Sequence, residues 1–327
     1  MNYSESQEIL EKIKTANKII LNCHYSPDPD SVSSALSMYQ VLTTAGKEVK
    51  IYSPGEIWKN LEFLPNIGKI EVVDFAKVDY SKFDLFISLD SSTWDQGTGT
   101  KDFEQPKNIE YVVIDHHKSN PRYGDINLIN GDSVSTCEVL FEVFEDWKIE
   151  IDKNLATTLL TGIIADSGAF RYPATSYKTL EISAKLIKLG ADREKIIFEM
   201  FSRTEVGVMK FWGLALSKLK VEHGFAWTAI SHDELKDLKD TTKAKSSFAS
   251  VFLQSIDATD FGFIAVEEKP KLLDVSLRSR TGVDTSKIAV EFGGGGHIWA
   301  SGFRIEGLSF EESIEKVLEV ARKYAKS

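Results

Sequence analysis

The sequence contains little cysteine, no surplus of positive charge and no long hydrophobic run. Its two cysteines, Cys23 and Cys137 among 327 residues, are too few for a disulfide framework and lack the spacing of a zinc site. We expect both to be buried free thiols. No apolar run approaches the ~20 residues of a membrane-spanning helix, and the first residues predict a polar helix rather than a signal peptide. A cytoplasmic protein without a membrane partner is therefore expected.

The charge balance restricts the class of partner. The chain has 39 Lys and Arg residues against 49 Asp and Glu residues, which gives a net charge of −10. This balance disfavours a protein that binds long duplex nucleic acid, because such binding uses many cationic contacts to phosphates. A short nucleotide in a local basic pocket, or an anion that meets bound metal ions, stays compatible with it.

The order of apolar runs in the first half of the chain predicts an α/β domain. Four strand-like runs alternate with helical patterns such as 31–45, and this order favours a doubly wound, mainly parallel sheet. The strand-like runs are 18–23, 48–52, 83–89 and 110–114. Helices are expected at 133–147 and 152–165, followed by a helical connector.

The pattern changes at about residue 222. Three more strand-like runs, GFAWTAI, FGFIAVEE and KLLDVSLRS, precede an amphipathic helix at 309–325 that begins with a Ser–x–x–Glu capping box. This second part predicts a smaller α/β domain with its own sheet. We place the boundary between residues 204 and 205.

Histidines and aspartates collect where the predicted elements end. They are His24, Asp28, Asp30, Asp90, Asp115, His116, His117 and Asp166. Ligands of open α/β sheets bind beyond the carboxyl ends of the strands, so we expect these side chains at one rim. Carboxylate oxygen together with imidazole nitrogen suits Mn²⁺, and less selectively Mg²⁺, Co²⁺ or Zn²⁺. The collection predicts a pair of divalent cations that share a carboxylate and activate a water for phosphoryl displacement.

Several of these residues have an ordinary structural explanation when taken alone. Asp30 fits a helix N-cap, while Asp90 and Asp166 fit turn positions. The adjacent His116 and His117 have no common structural role after a buried strand. The set as a whole therefore favours a metal site.

A glycine-rich segment near the end of the chain predicts an anion-binding loop. Glycines let main-chain N–H groups approach an anion closely, and arginines can add cationic support. The residues concerned are Arg278, Arg280, Gly293, Gly294, Gly295, Gly296 and His297. A flexible turn with a structural histidine is the alternative. The phosphate loop of kinases and ATPases is disfavoured, because no lysine and hydroxyl pair follows the glycines.

Five motifs, taken in order, resemble those of the DHH phosphoesterases that carry a C-terminal DHH-associated domain. The similarity is greatest to the NrnA-type branch of oligoribonucleases and pAp phosphatases. The motifs are HYSPDPDSVSSAL at 24–36, SLDSS at 88–92, VIDHHKSN at 113–120, TGIIADSGAFRYPATS at 161–176 and SLRSRTGVDTSKIAVEFGGGGHIWASGF at 276–303. One variation is Pro29, which stands where many relatives carry Gly or Thr. Proline restrains this turn without removing a ligand.

The resemblance implies a role for each part of the chain. Residues 1–204 would form the DHH metal-binding domain with its connector, and residues 205–327 the substrate-binding domain, with the active site in the cleft between them. One metal would be held by His24, Asp28 and Asp90, and the other by Asp30, Asp90, His116 and Asp166. His117 would face the substrate phosphate, and Asp115 would orient the histidines. The substrate itself would bind Arg278, Arg280, the glycines 293–296 and His297.

We therefore expect a hydrolase of phosphate esters that uses two divalent ions, preferentially Mn²⁺. Its expected substrates are short oligoribonucleotides, 3′-phosphoadenosine 5′-phosphate (pAp) and linear products of cyclic dinucleotides. A manganese-dependent pyrophosphatase and a non-catalytic nucleotide sensor are the alternatives. A single-strand exonuclease of the same superfamily is disfavoured, since it usually carries further nucleic-acid-binding modules. The resemblance also implies a homodimer.

Overall fold

The computed structural model describes residues 2–100, 103–236, 238, 241–296 and 298–325, with the backbone alone at 241–243. The chain divides into two compact units, Met1–Arg203 and Thr204–Ser327. Each unit has its own six-stranded sheet and its own apolar core. These features confirm the prediction of a doubly wound α/β fold followed by a smaller α/β unit.

The sheet of the first unit is parallel throughout. Its strand order is β3-β2-β1-β4-β5-β6, so the chain builds one edge from β1 and then returns to build the other. The strands are β1 Lys18–Asn22, β2 Glu48–Ser53, β3 Ile70–Val72, β4 Leu85–Leu89, β5 Glu110–Asp115 and β6 Ile126–Ile129. The reversal between β1 and β4 is a topological switch point, where sheets of this kind form a crevice.

Seven α-helices of the first unit accompany the sheet in the part of the chain that the structure describes. They are α1 Glu5–Thr15, α2 Pro29–Thr44, α3 Trp94–Thr98, α4 Thr136–Asp146, α5 Lys153–Asp166, α6 Tyr177–Lys188 and α7 Arg193–Phe201. Helix α2 packs against α4 and α5, and most of its residues are buried. Its limits follow from local chemistry: Asp28 caps the first turn, Pro29 fixes the first helical residue, and Gly46 at φ +80° ends it.

The sheet of the second unit is mixed. Its order is β11-β12-β10-β9-β8-β7, and only the β8–β9 pair is parallel among the described strands. The strands are β7 Lys220–Glu222, β8 Gly224–Ile230, β9 Thr259–Lys269, β10 Leu272–Ser279, β11 Gly295–Gly296 and β12 Ala300–Glu306. The helices are α8 Val206–Ser217, α9 Thr241–Phe248, α10 Thr285–Val290 and α11 Phe310–Tyr324. The predicted capping box of α11 is present, with Ser309 and Glu312 exchanging hydrogen bonds.

The structure bears on two expectations, those about the cysteines and about membrane-spanning helices. Cys23 and Cys137 are both free and buried, as the sequence predicted. Among the described residues, none of the helices combines the length and the apolar character that crossing a bilayer requires.

Candidate metal centre

The predicted ligands of the first unit meet at the switch point of its sheet. His24 follows β1, Asp90 follows β4 directly, and His116 follows β5 directly. Parallel strands bring these carboxyl ends to one edge. Asp30 lies in the first turn of α2, and Asp166 is the last residue of α5.

One group of possible metal ligands consists of His24, Asp28 and Asp90. His24 Nε2 lies 3.3 Å from Asp28 Oδ2 and 3.6 Å from Asp90 Oδ2. His24 Nδ1 lies 2.9 Å from the carbonyl oxygen of Tyr25. A carbonyl only accepts, so Nδ1 carries the hydrogen and Nε2 keeps its lone pair for a cation.

A second group consists of Asp30, His116 and Asp166. His116 Nε2 lies 3.5 Å from Asp166 Oδ2 and 3.5 Å from Asp90 Oδ1. His116 Nδ1 lies 3.3 Å from the carbonyl oxygen of Ser133, which again directs Nε2 toward the carboxylates.

Asp90 stands between the two groups. Its Oδ2 is the oxygen near His24, and its Oδ1 is the oxygen near His116. The residue is 1% exposed and adopts a left-handed φ of +51°. Thr136 Oγ1 donates to Asp90 Oδ1 at 3.0 Å, which fixes the carboxylate plane. Each oxygen of one buried carboxylate thus faces a different ligand group.

The orientation of the His117 ring is set by Asp115. His117 Nδ1 lies 2.7 Å from Asp115 Oδ1, and the backbone N–H of His116 donates to the same oxygen at 2.8 Å. Asn120 Nδ2 donates to Asp115 Oδ2 at 2.7 Å and to the carbonyl oxygen of Ser91 at 3.1 Å. Asp115 is fully buried, so these bonds fix the orientation of the His117 ring.

The amino end of α4 holds Asp30. The backbone N–H groups of Thr136 and Cys137 donate to its two oxygens at 2.7 and 3.1 Å. These N–H groups belong to the first turn of α4, which favours a negative charge. Gly162 of α5 makes this approach possible, because a Cβ there would overlap Asp30 Oδ1 and Cys137 Sγ.

The electrostatics of the site fit a cation. Burial, then the charges of Asp90 and Asp28, raises the pKa of Asp30 well above its usual value. Burial and the charges of Asp30, Asp28 and Asp90 do the same to the pKa of Asp166. The cluster therefore cannot hold all its charges alone, and a divalent cation reverses this repulsion.

The carboxylates also raise the pKa values of two of the neighbouring histidines, His24 and His117, which favours the charged form of each. Burial lowers the pKa of His24, but the hydrogen bond and charge of Asp28 and the charge of Asp90 outweigh it and raise the pKa to about 9. For His117 burial also lowers the pKa, and the hydrogen bond to Asp115 and the charge of Asp90 raise it to about 9. In the absence of cations, protons on these two histidines partly neutralise the negative charge of the carboxylates.

The predicted substrate-binding residues lie in the second unit. Arg278 on β10 donates to Ser250 Oγ from Nε and Nη2, at 3.3 and 3.1 Å. Arg280 donates to the carbonyl oxygen of Thr259 at 3.2 Å and pairs with Asp257.

The glycine segment lies at the other edge of β12. Gly295 and Gly296 form β11, and β12 runs between them and Arg278, so about 10 Å of sheet separates the two. Gly294 is packed so closely against Phe303 that a side chain would not fit. His297 lies outside the described residues. A phosphate cradle built from these residues stays a prediction.

Sequence reasoning missed two residues that position the ligands, Asn120 and Thr136. Asn120 lies in the VIDHHKSN motif, and its amide spacing from Asp115 was an available signal. Thr136 had a weaker signal, as the residue after the Ser135 cap of a predicted helix.

Comparison with known proteins agrees with these features. Residues 18–163 match the DHH family, N-terminal domain, and residues 235–327 match the DHHA1 domain. The chain contains a DHH domain followed by a DHHA1 domain. The predicted resemblance is therefore confirmed, with both domains in the expected order.

Named relatives match nearly the whole length of this protein. It is 27% identical to the bifunctional oligoribonuclease and PAP phosphatase NrnA of Thermus thermophilus, over 96% of this chain and 92% of the relative. It is 26% identical to the protein of the same name from Bacillus subtilis, over 91% and 92%. A solved exopolyphosphatase-related protein from Bacteroides fragilis shares the fold, with a TM-score of 0.90 at 24% identity over 98% and 96% of the two chains.

Proposed function

We propose that this protein hydrolyses phosphate esters of short oligoribonucleotides, of pAp, or of both, with two divalent cations bound in its first unit. The observation that carries the proposal is Asp90, whose two buried oxygens face two different groups of His and Asp ligands. One shared carboxylate between two cation sites is the arrangement that two-metal phosphoryl transfer uses.

The reaction class rests on the family and on its named members. The relatives are named as oligoribonucleases and PAP phosphatases. The DHH-family chain described here is accordingly a hydrolase of phosphate esters, as the sequence predicted. The choice between RNA fragments and pAp is part of the proposal.

The residues fit a metal pair because they supply oxygen and imidazole ligands in a buried acidic cluster. His24, Asp28 and Asp90 would hold one cation, and Asp30, Asp90, His116 and Asp166 the other. Bound divalent cations, preferentially Mn²⁺, supply Lewis acidity and lower the pKa of a coordinated water.

The protein groups around the cations orient and stabilise the substrate. With Nδ1 fixed by Asp115, His117 presents Nε2 to a phosphoryl oxygen and stabilises the charge that develops there. We assign binding of the rest of the substrate to Arg278, Arg280, the glycines 293–296 and His297, as the family resemblance implies.

The first test compares the wild type with Asp90→Asn under Mn²⁺. Asparagine keeps the size of the side chain and tolerates the left-handed backbone at this position, but removes the shared charge. We expect hydrolysis of pAp and of a 5′-labelled RNA dinucleotide to fall at least about 100-fold, because losing a ligand costs more than losing a residue that orients one. Bound manganese, measured by mass spectrometry, should fall as well.

Asp95→Asn is the matched control, since Asp95 is an exposed aspartate in the first turn of α3, five residues after Asp90. It should hydrolyse and bind manganese as the wild type does. Pyrophosphate is assayed alongside. Turnover of pyrophosphate alone would replace the proposal with a pyrophosphatase, and binding of nucleotides without turnover would replace it with a sensor.

A further inference from the structure

The chain makes an unusual left-handed turn directly after Asp166. Gly168, Ala169 and Phe170 have φ values of +56°, +55° and +67° in succession. Residues other than glycine rarely adopt this conformation, and strain of this kind concentrates at functional sites. The turn is held by its own hydrogen bonds, since the N–H of Ala169 donates to Ile164 O at 2.8 Å and that of Phe170 to Ser167 Oγ at 3.0 Å.

The turn brings the ring of Tyr172 onto the backbone of Gly168. A Cβ at Gly168 would lie 2.5 Å from Tyr172 Cζ and 2.7 Å from both Cε atoms. Near-equal distances to these three atoms mean that the face of the ring, not its edge, covers Gly168. Only glycine permits this contact.

Tyr172 does not contribute to the apolar core. Phe170, two residues earlier, packs partly buried against the core, whereas Tyr172 keeps 41% of its surface exposed. Arg171 between them donates from Nε to Gly168 O at 2.7 Å. Within the residues that the structure describes, its terminal nitrogens have no protein partner. Burial of Tyr172 therefore does not offset the backbone strain of the turn.

The position of the ring suits a nucleotide. Gly168 is two residues from Asp166, so the ring lies within roughly 12 Å of the Asp166 backbone, at ~3.8 Å per residue. A rigid aromatic face beside an exposed guanidinium offers stacking for a base and a positive charge for a phosphate.

We propose that Tyr172 is a specificity-determining residue that stacks on a nucleobase of the substrate, with Arg171 fixing the turn that presents it. This inference rests on the proposed function, because it requires a nucleotide at the metal centre. Stacking on an aromatic side chain is indifferent to base identity, so the residue would favour nucleotides over other phosphate esters without selecting a sequence.

The test measures kcat and KM under Mn²⁺ for a 5′-phosphorylated RNA dinucleotide and for its analogue in which both bases are replaced by hydrogen. Tyr172→Ala should raise KM for the dinucleotide about tenfold and leave KM for the abasic analogue unchanged. Tyr172→Phe should resemble the wild type. Tyr172→Leu should resemble Tyr172→Ala, because leucine covers Gly168 without an aromatic face.

Tyr177→Ala is the matched control, as Tyr177 is an exposed tyrosine at the start of α6. It should leave both KM values unchanged. Normal KM values in Tyr172→Leu, or equal effects of Tyr172→Ala on both substrates, would show a merely structural role for Tyr172. Either result overturns this inference and leaves the proposed function in place. If the wild type hydrolyses neither substrate, the proposed function fails first and the inference fails with it.

Discussion

At the scale of single residues, the site depends on groups that never need to touch a cation. Asn120 holds Asp115, Asp115 holds His117, and Thr136 holds Asp90. Each of these hydrogen bonds fixes the orientation of a side chain that has to point an oxygen or a nitrogen into the site. Such supporting partners commonly change activity or metal affinity by about 10–100-fold when removed.

Asn120→Ala tests this dependence. The change removes the donors to Asp115 Oδ2 and to Ser91 O, so the buried carboxylate is freer to rotate and the His117 ring loses its fixed orientation. We expect kcat for pAp to fall about tenfold or more, with KM changing less. Asn108→Ala, at an exposed asparagine, should leave kcat unchanged. An unaltered kcat in Asn120→Ala would contradict a positioning role.

The residue scale also shows what the sequence can predict. His24, Asp90 and His116 were predictable as members of a set, because an ordinary structural role explains a single aspartate but not histidines and aspartates that collect at several strand ends. Asn120 and Thr136 gave weaker signals, since uncharged polar residues are common in loops and helix caps, and the partner of Thr136 lies 46 positions away.

At the scale of elements, helix α5 contains Gly162 in its interior, where glycine is unfavourable for helix formation. Alanine is the better helix former by about 1 kcal/mol, yet a Cβ at Gly162 would overlap Asp30 Oδ1 and Cys137 Sγ. The glycine lets α5 approach the carboxylate that the amino end of α4 holds.

Gly162→Ala should therefore destabilise the protein by about 1–3 kcal/mol through overpacking, and should weaken manganese binding because Asp30 must move. Urea unfolding and manganese titration measure the two effects. Gly213→Ala in α8 is the control, since a Cβ there meets nothing within 4 Å. That variant should be stabilised, by up to about 1 kcal/mol. Equal behaviour of the two variants would refute the packing argument.

In the first unit, the elements that the sequence did not reveal are short. Strands β3 and β6 are three and four residues long and lie at the two edges of the sheet, where burial, and with it the apolar signal, is weakest. Helix α3 spans five residues, too few for a helical period to show. The central strands were predictable because both their faces are buried, and the long helices because they are long enough for a helical period to show.

At the scale of the whole molecule, all proposed metal ligands belong to the first unit. Calorimetry with added Mn²⁺ at pH 7 should therefore raise the unfolding temperature of that unit and leave the transition of the second unit in place. The stabilisation should reach about 2.7 kcal/mol at a metal concentration 100 times the Kd. A shift of both transitions, or of neither, would contradict the assignment of the ligands.

The metal-free protein should lose stability as pH rises from about 6.5 to 9. The folded-state pKa values of His24 and His117 are raised to about 9, above the ~6.5 of an unfolded chain, so their contribution is complete below 6.5 and lost through 9. Asp30 and Asp166, whose pKa values are also raised, act with the same sign. Urea unfolding across this range measures the slope, and a double variant His24→Gln/His117→Gln should flatten it. Rising stability over this range would contradict the prediction.

The dispersal of the ligands along the chain has a consequence for biosynthesis. During synthesis, His24, Asp28 and Asp90 leave the ribosome early. Asp166, the last residue of α5, follows well over a hundred residues after His24. A nascent chain can therefore assemble one half of the centre before the other half exists. On the proposed assignment of ligands, a complete metal pair could bind only after the first unit has been synthesised through Asp166.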